Sequence, residues 1–245
     1  MNSVRQAGRE AAVELAPGDD HYMAYVGPPA QYDLMGAMQF RLLVTLGLRA
    51  TQRVLDFGCG SLRAGRLLIP YLDPGCYFGV EPNDWLVEEA IEHQLGREIV
   101  RLKGASFASN DDFSVPFGTV RFDYILAQSI FSHAGPQLVH RALLAFRGAL
   151  SPQGVVAATF AMSRDGTSFA GEGWVYPGCV RYTEQSVLQA FDGAGLHAVA
   201  IPFFHPRQQW FLAAAEASHL PSPAQLGLLH GAVLNVPEFA ASIHP

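Results

Sequence analysis

The 245-residue sequence is 49% hydrophobic and 16% charged, enough chain for one large α/β domain with a small lid at most, and it reads as one domain. Its 16 Lys and Arg against 22 Asp and Glu leave a formal net charge of −6, which argues against a phosphate-neutralising surface, so a small molecule rather than nucleic acid is the expected partner. Cys59, Cys76 and Cys179 lack CxxC spacing, and no apolar run approaches the ~18 residues of a bilayer span, so no disulfide framework, structural zinc or membrane association is expected, and the location is taken as cytoplasmic.

Residues 1–34 form an amino-terminal arm or lid with polar, Gly and Pro content through Gly27-Pro28-Pro29, in which Tyr22, Tyr25 and Tyr32 are unusual for a solvated tail. Met38, Leu42, Leu43 and Leu46 recur at helical spacing from Met35, and Gly47 ends that helix. A strand over 53–57 is cut off by Gly58-Cys59-Gly60 and followed by a helix over about 62–71. Residues 76–81 form a second strand, and Asn83 or Asp84 caps a helix running to Gly96. A weak third strand over 99–102, a stronger fourth over 122–128, a helix over 136–150 with Pro136 in its first turn, and a fifth strand over 154–160 complete the alternation. Thr183 caps a helix to Ala194. Strand-like runs 196–204 and 208–214, joined by His205-Pro206-Arg207, make an antiparallel hairpin. The pattern predicts an α/β fold with a seven-stranded, mostly parallel sheet, helices on both faces and the last strand antiparallel. The core spans 35–216 with an inserted loop at about 162–181, and 217–245 is a tail with one short helix.

The most informative stretch is Val54 to Ser61. A glycine turn at a strand's carboxyl end lets a ligand approach bare backbone, and Gly58 and Gly60 supply that floor. Glu81 ends the second strand, where a carboxylate accepts ribose hydroxyl hydrogens. A dinucleotide site favours a full GxGxxG turn meeting a pyrophosphate, which Ser61-Leu62-Arg63 does not complete, so the nicotinamide alternative recedes.

Asp56-Phe57-Gly58-Cys59-Gly60 resembles the first motif of class I S-adenosylmethionine-dependent methyltransferases, and Glu81 falls at that family's ribose-binding acid. Asn110 to Phe113, followed by Phe122 to Ile125, is similar to the family's stretch from the adenine-contacting acidic loop to strand four, and the resemblance covers about residues 35–215. It implies S-adenosylmethionine as cofactor, bound by Asp56, Gly58, Cys59, Gly60, Glu81 and Pro82, with Asp111 or Asp112 accepting from the adenine amino group and Phe113 flanking the base. Gln128 and Ser129 open the floor between cofactor and acceptor. Leu62 stands where the family often has a third glycine.

Methyl transfer asks little of catalytic side chains, since the sulfonium carbon is already electrophilic and the acceptor must mainly be aligned with it. A hydroxyl or ammonium acceptor needs a base, and His133 is the best-placed candidate, its other reading being a packing residue before the helix at Pro136. Tyr22, Tyr25 and Tyr32 from the arm, Phe131 after strand four, Arg164, Trp174 and Tyr176 from the glycine-rich insertion, and His205 in the hairpin turn are candidates to enclose the acceptor and exclude water. His93, His140 and His205 are weaker as bases, and no His pair shares a metal-ligand spacing with nearby acids, so a metal-free reaction is expected. The function implied is O- or N-methylation of a small molecule. The alternative is an S-adenosylmethionine-binding protein that does not methylate, such as a regulatory sensor or an enzyme using only the sulfonium charge.

Overall fold

A computed structural model describes residues 8–229. The beginning of the arm and the end of the tail, 1–7 and 230–245, lie outside the described residues. The chain divides into two compact units, one up to Gly118 and one from Thr119.

In the first unit a short helix α1 (Arg9–Ala12) and a single turn at Pro29–Gln31 precede α2 (Tyr32–Thr45). The first unit then alternates β1 (Val54–Phe57), α3 (Gly65–Tyr71), β2 (Tyr77–Val80), α4 (Asp84–Ala90), α5 (Arg97–Lys103) and β3 (Ser106–Ala108). β1 and β2 are buried at every position, as parallel strands covered on both faces require, which is why they read as apolar runs, broken only by Asp56 in β1. Both pairings, β1 with β2 and β2 with β3, are parallel. The arm is not a solvated tail: Ala12, Tyr22, Met23, Tyr32 and Leu86 form one buried cluster, with Leu15, Tyr25, Val26 and Trp85 packed against it.

The strand expected over 99–102 is the helix α5. Gly96 at φ 82° opens it and Gly104, left-handed at φ 55°, closes it, while Arg101 donates to both oxygens of Glu98 three residues earlier, at 2.9 and 2.6 Å. None of its residues is fully buried. Ile99 and Val100 therefore have no sheet to complete, and caps and local pairing decide the conformation. The helix after β2 also departs from expectation: Asn83 precedes α4 without a side-chain cap, and residues Ile91–Leu95 continue as a π-helical turn.

The second unit holds β4 (Phe122–Ala127), α6 (Pro136–Ala149), β5 (Leu150–Phe160), α7 (Glu184–Gly193), β6 (His197–Ile201), β7 (Gln209–Ala214) and α8 (Pro223–Leu228). β4 and β5 are parallel, with the register jumping from Phe122↔Leu150 to Tyr124↔Val155. β5 therefore starts at Leu150 rather than at 154, and Ser151 to Gly154, with a proline that cannot donate to a ladder, form the irregularity. Thr183 caps α7 by accepting from Ser186 N at 3.2 Å. β7 runs antiparallel to both β5 and β6, so it alone is reversed, and residues 202–208 connect the hairpin in place of the expected tight link. Ser222 and Gln225 form a capping box on α8. In strand order the seven-stranded sheet reads β3-β2-β1-β4-β5-β7-β6, with helices packed around it.

Candidate active site

In the first unit the turn after β1 is pinned to the end of β2, since Gly58 N and Cys59 N both donate to Val80 O, at 2.8 and 3.0 Å. Gly58 and Gly60 adopt φ 73° and 53°, and Leu62, fully buried, adopts φ 54°. A leucine thus holds the left-handed conformation that favours glycine, at a cost of about 1–2 kcal/mol that its burial offsets. Gly79 is required opposite, because a Cβ there would lie 2.8 Å from Cys59 Sγ.

Glu81 follows β2 and is 8% exposed. Its Oε2 accepts from Gly60 N at 3.0 Å, and its Oε1 accepts from Asn83 N and Nδ2, each at 2.9 Å. Burial raises its pKa, and these three bonds oppose the rise. Of the roughly four acceptor positions on a carboxylate, one on Oε2 is left for a ligand hydroxyl. Asn83 was not singled out in the sequence as a ligand-site residue; its signal was its place two residues beyond the acid, within reach of a local side-chain bond. Pro82 between them is exposed.

Asp56 is buried and accepts from Tyr77 Oη at 2.9 Å. Removal from water pushes its pKa up to about 7, against the Tyr77 bond and the positive Arg63. The Cys59 thiol is buried and its pKa is raised by burial and by the charges of Asp56 and Glu81, which makes it inert rather than nucleophilic. Asp112 accepts from Asn110 Nδ2, Ser114 N and Ser114 Oγ at 2.8, 3.0 and 2.7 Å, bonds that bring its pKa to about 2. It is committed to its own loop, and the exposed Asp111 is the better acceptor for a ligand amine. Phe113, at φ 62°, sets its ring 6.0 Å from Phe57.

The arm lies against this turn. Arg63 donates to Val26 O at 2.9 Å, and Val26 Cγ1 occupies the space a Cβ on Gly60 would enter, 2.7 Å away. Tyr32, 1% exposed, donates to Ser61 O at 2.6 Å and accepts from Gln94 Nε2 at 2.8 Å. Asp33 binds Arg9 and, at 2.7 Å, Arg66. Tyr22 is edge-on to Tyr32 and stacked on His93. Tyr22 and Tyr32 are therefore packing residues of the first unit, whereas Tyr25, only part-buried against Trp85, has its pKa raised by burial and by the charge of Glu81.

In the second unit Gln128 and Ser129 follow β4, and Ser129 sits at φ 62° with its N donating to Thr159 Oγ1 at 2.8 Å. Phe131 is fully buried and stacked on Phe160 at 4.9 Å, so it is a core ring rather than an open binding surface. Residues 162–181 are laid on the segment after β4: Gly135 N donates to Gly173 O, Val175 N to His133 O, and Val180 N to Ser132 O, each at 2.8 Å. This brings His133 within 5.4 Å of Trp174 and 5.1 Å of Tyr176, ring centre to ring centre. His133 Nδ1 lies 2.6 Å from Gly178 O, which makes Nδ1 the donor and leaves the lone pair on Nε2. Burial lowers the His133 pKa below its ordinary 6.5, against that bond. Trp174 is 49% exposed. Arg164 is exposed on the same loop, and His205 stands instead with Gln128.

The strand order and the glycine turn define a Rossmann-like fold. Residues 55–156, less than half of the chain, match the family described as a methyltransferase domain. Magnesium protoporphyrin IX methyltransferase from Synechocystis PCC 6803, solved with bound SAH, superposes with a TM-score of 0.58 at 13% identity over 76% of this chain and 84% of that one. The CcbJ methyltransferase from Streptomyces caelestis gives 0.59 at 16% identity over 78% and 92%. The glycopeptide N-methyltransferase MtfA gives 0.58 at 12% identity over 74% and 90%. No curated protein matches the chain by sequence. Among the described residues no helix is long and apolar enough to cross a membrane.

Proposed function

We propose that the protein is an S-adenosylmethionine-dependent methyltransferase acting on a small-molecule hydroxyl or amine. The observation that carries this reading is Glu81, held through both oxygens by Gly60 and Asn83 at the end of β2, with an acceptor position spare beside a turn whose glycines expose backbone. The donor chemistry fits the cofactor: a ribose hydroxyl on Glu81, an adenine amine on Asp111, and the base against Phe113. Structures of similar fold that contain SAM or SAH support the same choice. Bound there, S-adenosylmethionine supplies an electrophilic methyl group on a sulfonium.

The chain's own part is then alignment, exclusion of water and removal of one proton. His133 is proposed as the base: Nδ1–H is tied to Gly178 O, which orients the ring and presents Nε2 as the proton acceptor. Burial lowers its pKa and so favours the neutral imidazole, the form that accepts a proton. Trp174 and Tyr176, close to parallel at 20° and 6.5 Å apart, give the neighbourhood of that nitrogen aromatic faces suited to a flat or partly apolar acceptor. The test is formation of S-adenosylhomocysteine from S-adenosylmethionine across a panel of small phenols, alcohols and amines, with His133→Ala beside it. Turnover of at least one class, lost in the variant, supports the assignment. Cofactor binding with no product from any acceptor overturns it in favour of a non-methylating binder.

A further inference from the structure

In the second unit three rings gather around one unused lone pair. Trp174 and Tyr176 come from the inserted loop and His133 from the segment after β4, and their ring centres form a triangle with sides of 5.1, 5.4 and 6.5 Å. The Trp174 and Tyr176 planes are 20° apart, while the imidazole is inclined to them by 57° and 73°. The loop that carries the first two is closely seated: Tyr182 Oη donates to Ala134 O at 2.6 Å, and a Cβ on Gly135 would lie 2.8 Å from Gly171 O. The cluster is thus built before any ligand arrives, which spares binding the cost of ordering it. Trp174 stays 49% exposed, a π face held at the surface. His133 Nδ1–H is spent on Gly178 O, and among the described residues Nε2 has no hydrogen-bond partner. Charge balance then chooses between a hydroxyl and an amine. Burial and the Gly178 carbonyl are the influences on His133, and no carboxylate is among them. Of the acids on the loop, Asp165 is committed to Ser163 and Thr167, and Glu172 is exposed. An ammonium brought here has the ring faces but no carboxylate to balance its charge, whereas a phenol uses the ring faces and the lone pair without burying a charge.

We propose that His133, Trp174 and Tyr176 form the binding site of a phenol, its ring against Trp174 and Tyr176 and its O–H donated to His133 Nε2. The use of that phenol as methyl acceptor rests on the reading of His133 as the base; the binding does not. In that use the O–H proton passes to Nε2 and on to water, and the oxygen takes the methyl group as the bond from methyl to sulfur breaks. The products are an aryl methyl ether and S-adenosylhomocysteine.

The test uses the full-length protein without cofactor. Titration of the 15N-labelled protein with 4-methylphenol at pH 7 should move the Trp174 indole and His133 imidazole signals together, with half-saturation at about 1 mM for a ligand of this size. 4-Methylanisole, which has the ring without the O–H, and benzylamine, which has the ring but carries an ammonium, should each bind about 3- to 10-fold more weakly. Trp174→Leu should weaken 4-methylphenol about 3- to 10-fold, read from the His133 signals. His133→Ala should bind 4-methylphenol and 4-methylanisole alike, and if that variant does not fold, the two ligands on the wild type decide the hydrogen bond. Signals that stay still or move elsewhere, equal affinity for 4-methylphenol and 4-methylanisole on the wild type, or tighter binding of benzylamine overturns the phenol site. Formation of S-adenosylhomocysteine is read separately. Binding here with no product from S-adenosylmethionine keeps the site and overturns its use in methylation, while product from amines without phenol binding keeps the methyltransferase reading and overturns the site.

Discussion

Replacing Asp56 by Asn removes a carboxyl that the fold keeps out of water and leaves an oxygen to accept from Tyr77 Oη, now 2.9 Å from Asp56. In the folded state burial raises the Asp56 pKa from 3.8 to about 7, a gap worth on the order of 4 kcal/mol. Because the pKa is raised, its favourable contribution is complete below about pH 4 and is lost as pH rises through about 7. Asn is neutral throughout and carries no such slope. Urea unfolding of both proteins at pH 5 and pH 8 should therefore show the variant gaining about 2–3 kcal/mol on the wild type between the two conditions. A difference constant within about 0.5 kcal/mol would mean that Asp56 is ionised across the range, and would refute the argument from burial.

Once an acceptor turns over, the rate should rise with pH and level off at a midpoint below 6.5, because burial lowers the His133 pKa and only the neutral ring accepts a proton; His133→Ala should lose the inflection along with about 10²–10⁴ in rate. Gly60→Ala places a Cβ 2.7 Å from Val26 Cγ1 at φ 53°, and should cost about 1–3 kcal/mol in urea unfolding. Adding Val26→Ala should not recover all of it, since the backbone penalty remains. Tyr32→Phe leaves Ser61 O without its 2.6 Å donor, and chemical unfolding should read a loss of about 1–3 kcal/mol; a neutral result would mean water reaches that carbonyl.

The parallel core was legible wherever burial on both faces wrote short apolar runs, as in Val54–Phe57, broken only by Asp56, and Tyr77–Val80, and Thr183 was legible as a cap because its bond is local. Ile99 and Val100 misled, because their β-branched character suggests a strand, while Gly96, Gly104 and the Glu98–Arg101 pair favour a helix. Gly58, Gly60 and Glu81 stood out as a site because spacing alone relates a strand end to an acid. Asn83 looked like a cap and serves the acid instead, since its side chain reaches Glu81 Oε1. The arm's tie to the turn, through Val26 on Gly60 and Tyr32 on Ser61, joins residues far apart in sequence and left only the excess of tyrosines as a trace. The tautomer of His133 depends on the backbone carbonyl of Gly178, which no side-chain pattern announces.

Calorimetric titration of the purified protein with S-adenosylmethionine, S-adenosylhomocysteine and NAD, beside Glu81→Ala, tests the central claim most directly. The account predicts that both sulfur ligands bind, that NAD does not compete, and that the variant loses about 10- to 100-fold in affinity, as removal of a charged hydrogen-bond acceptor should. Preference for NAD, no binding of either sulfur ligand, or a variant that binds as well as the wild type would contradict it.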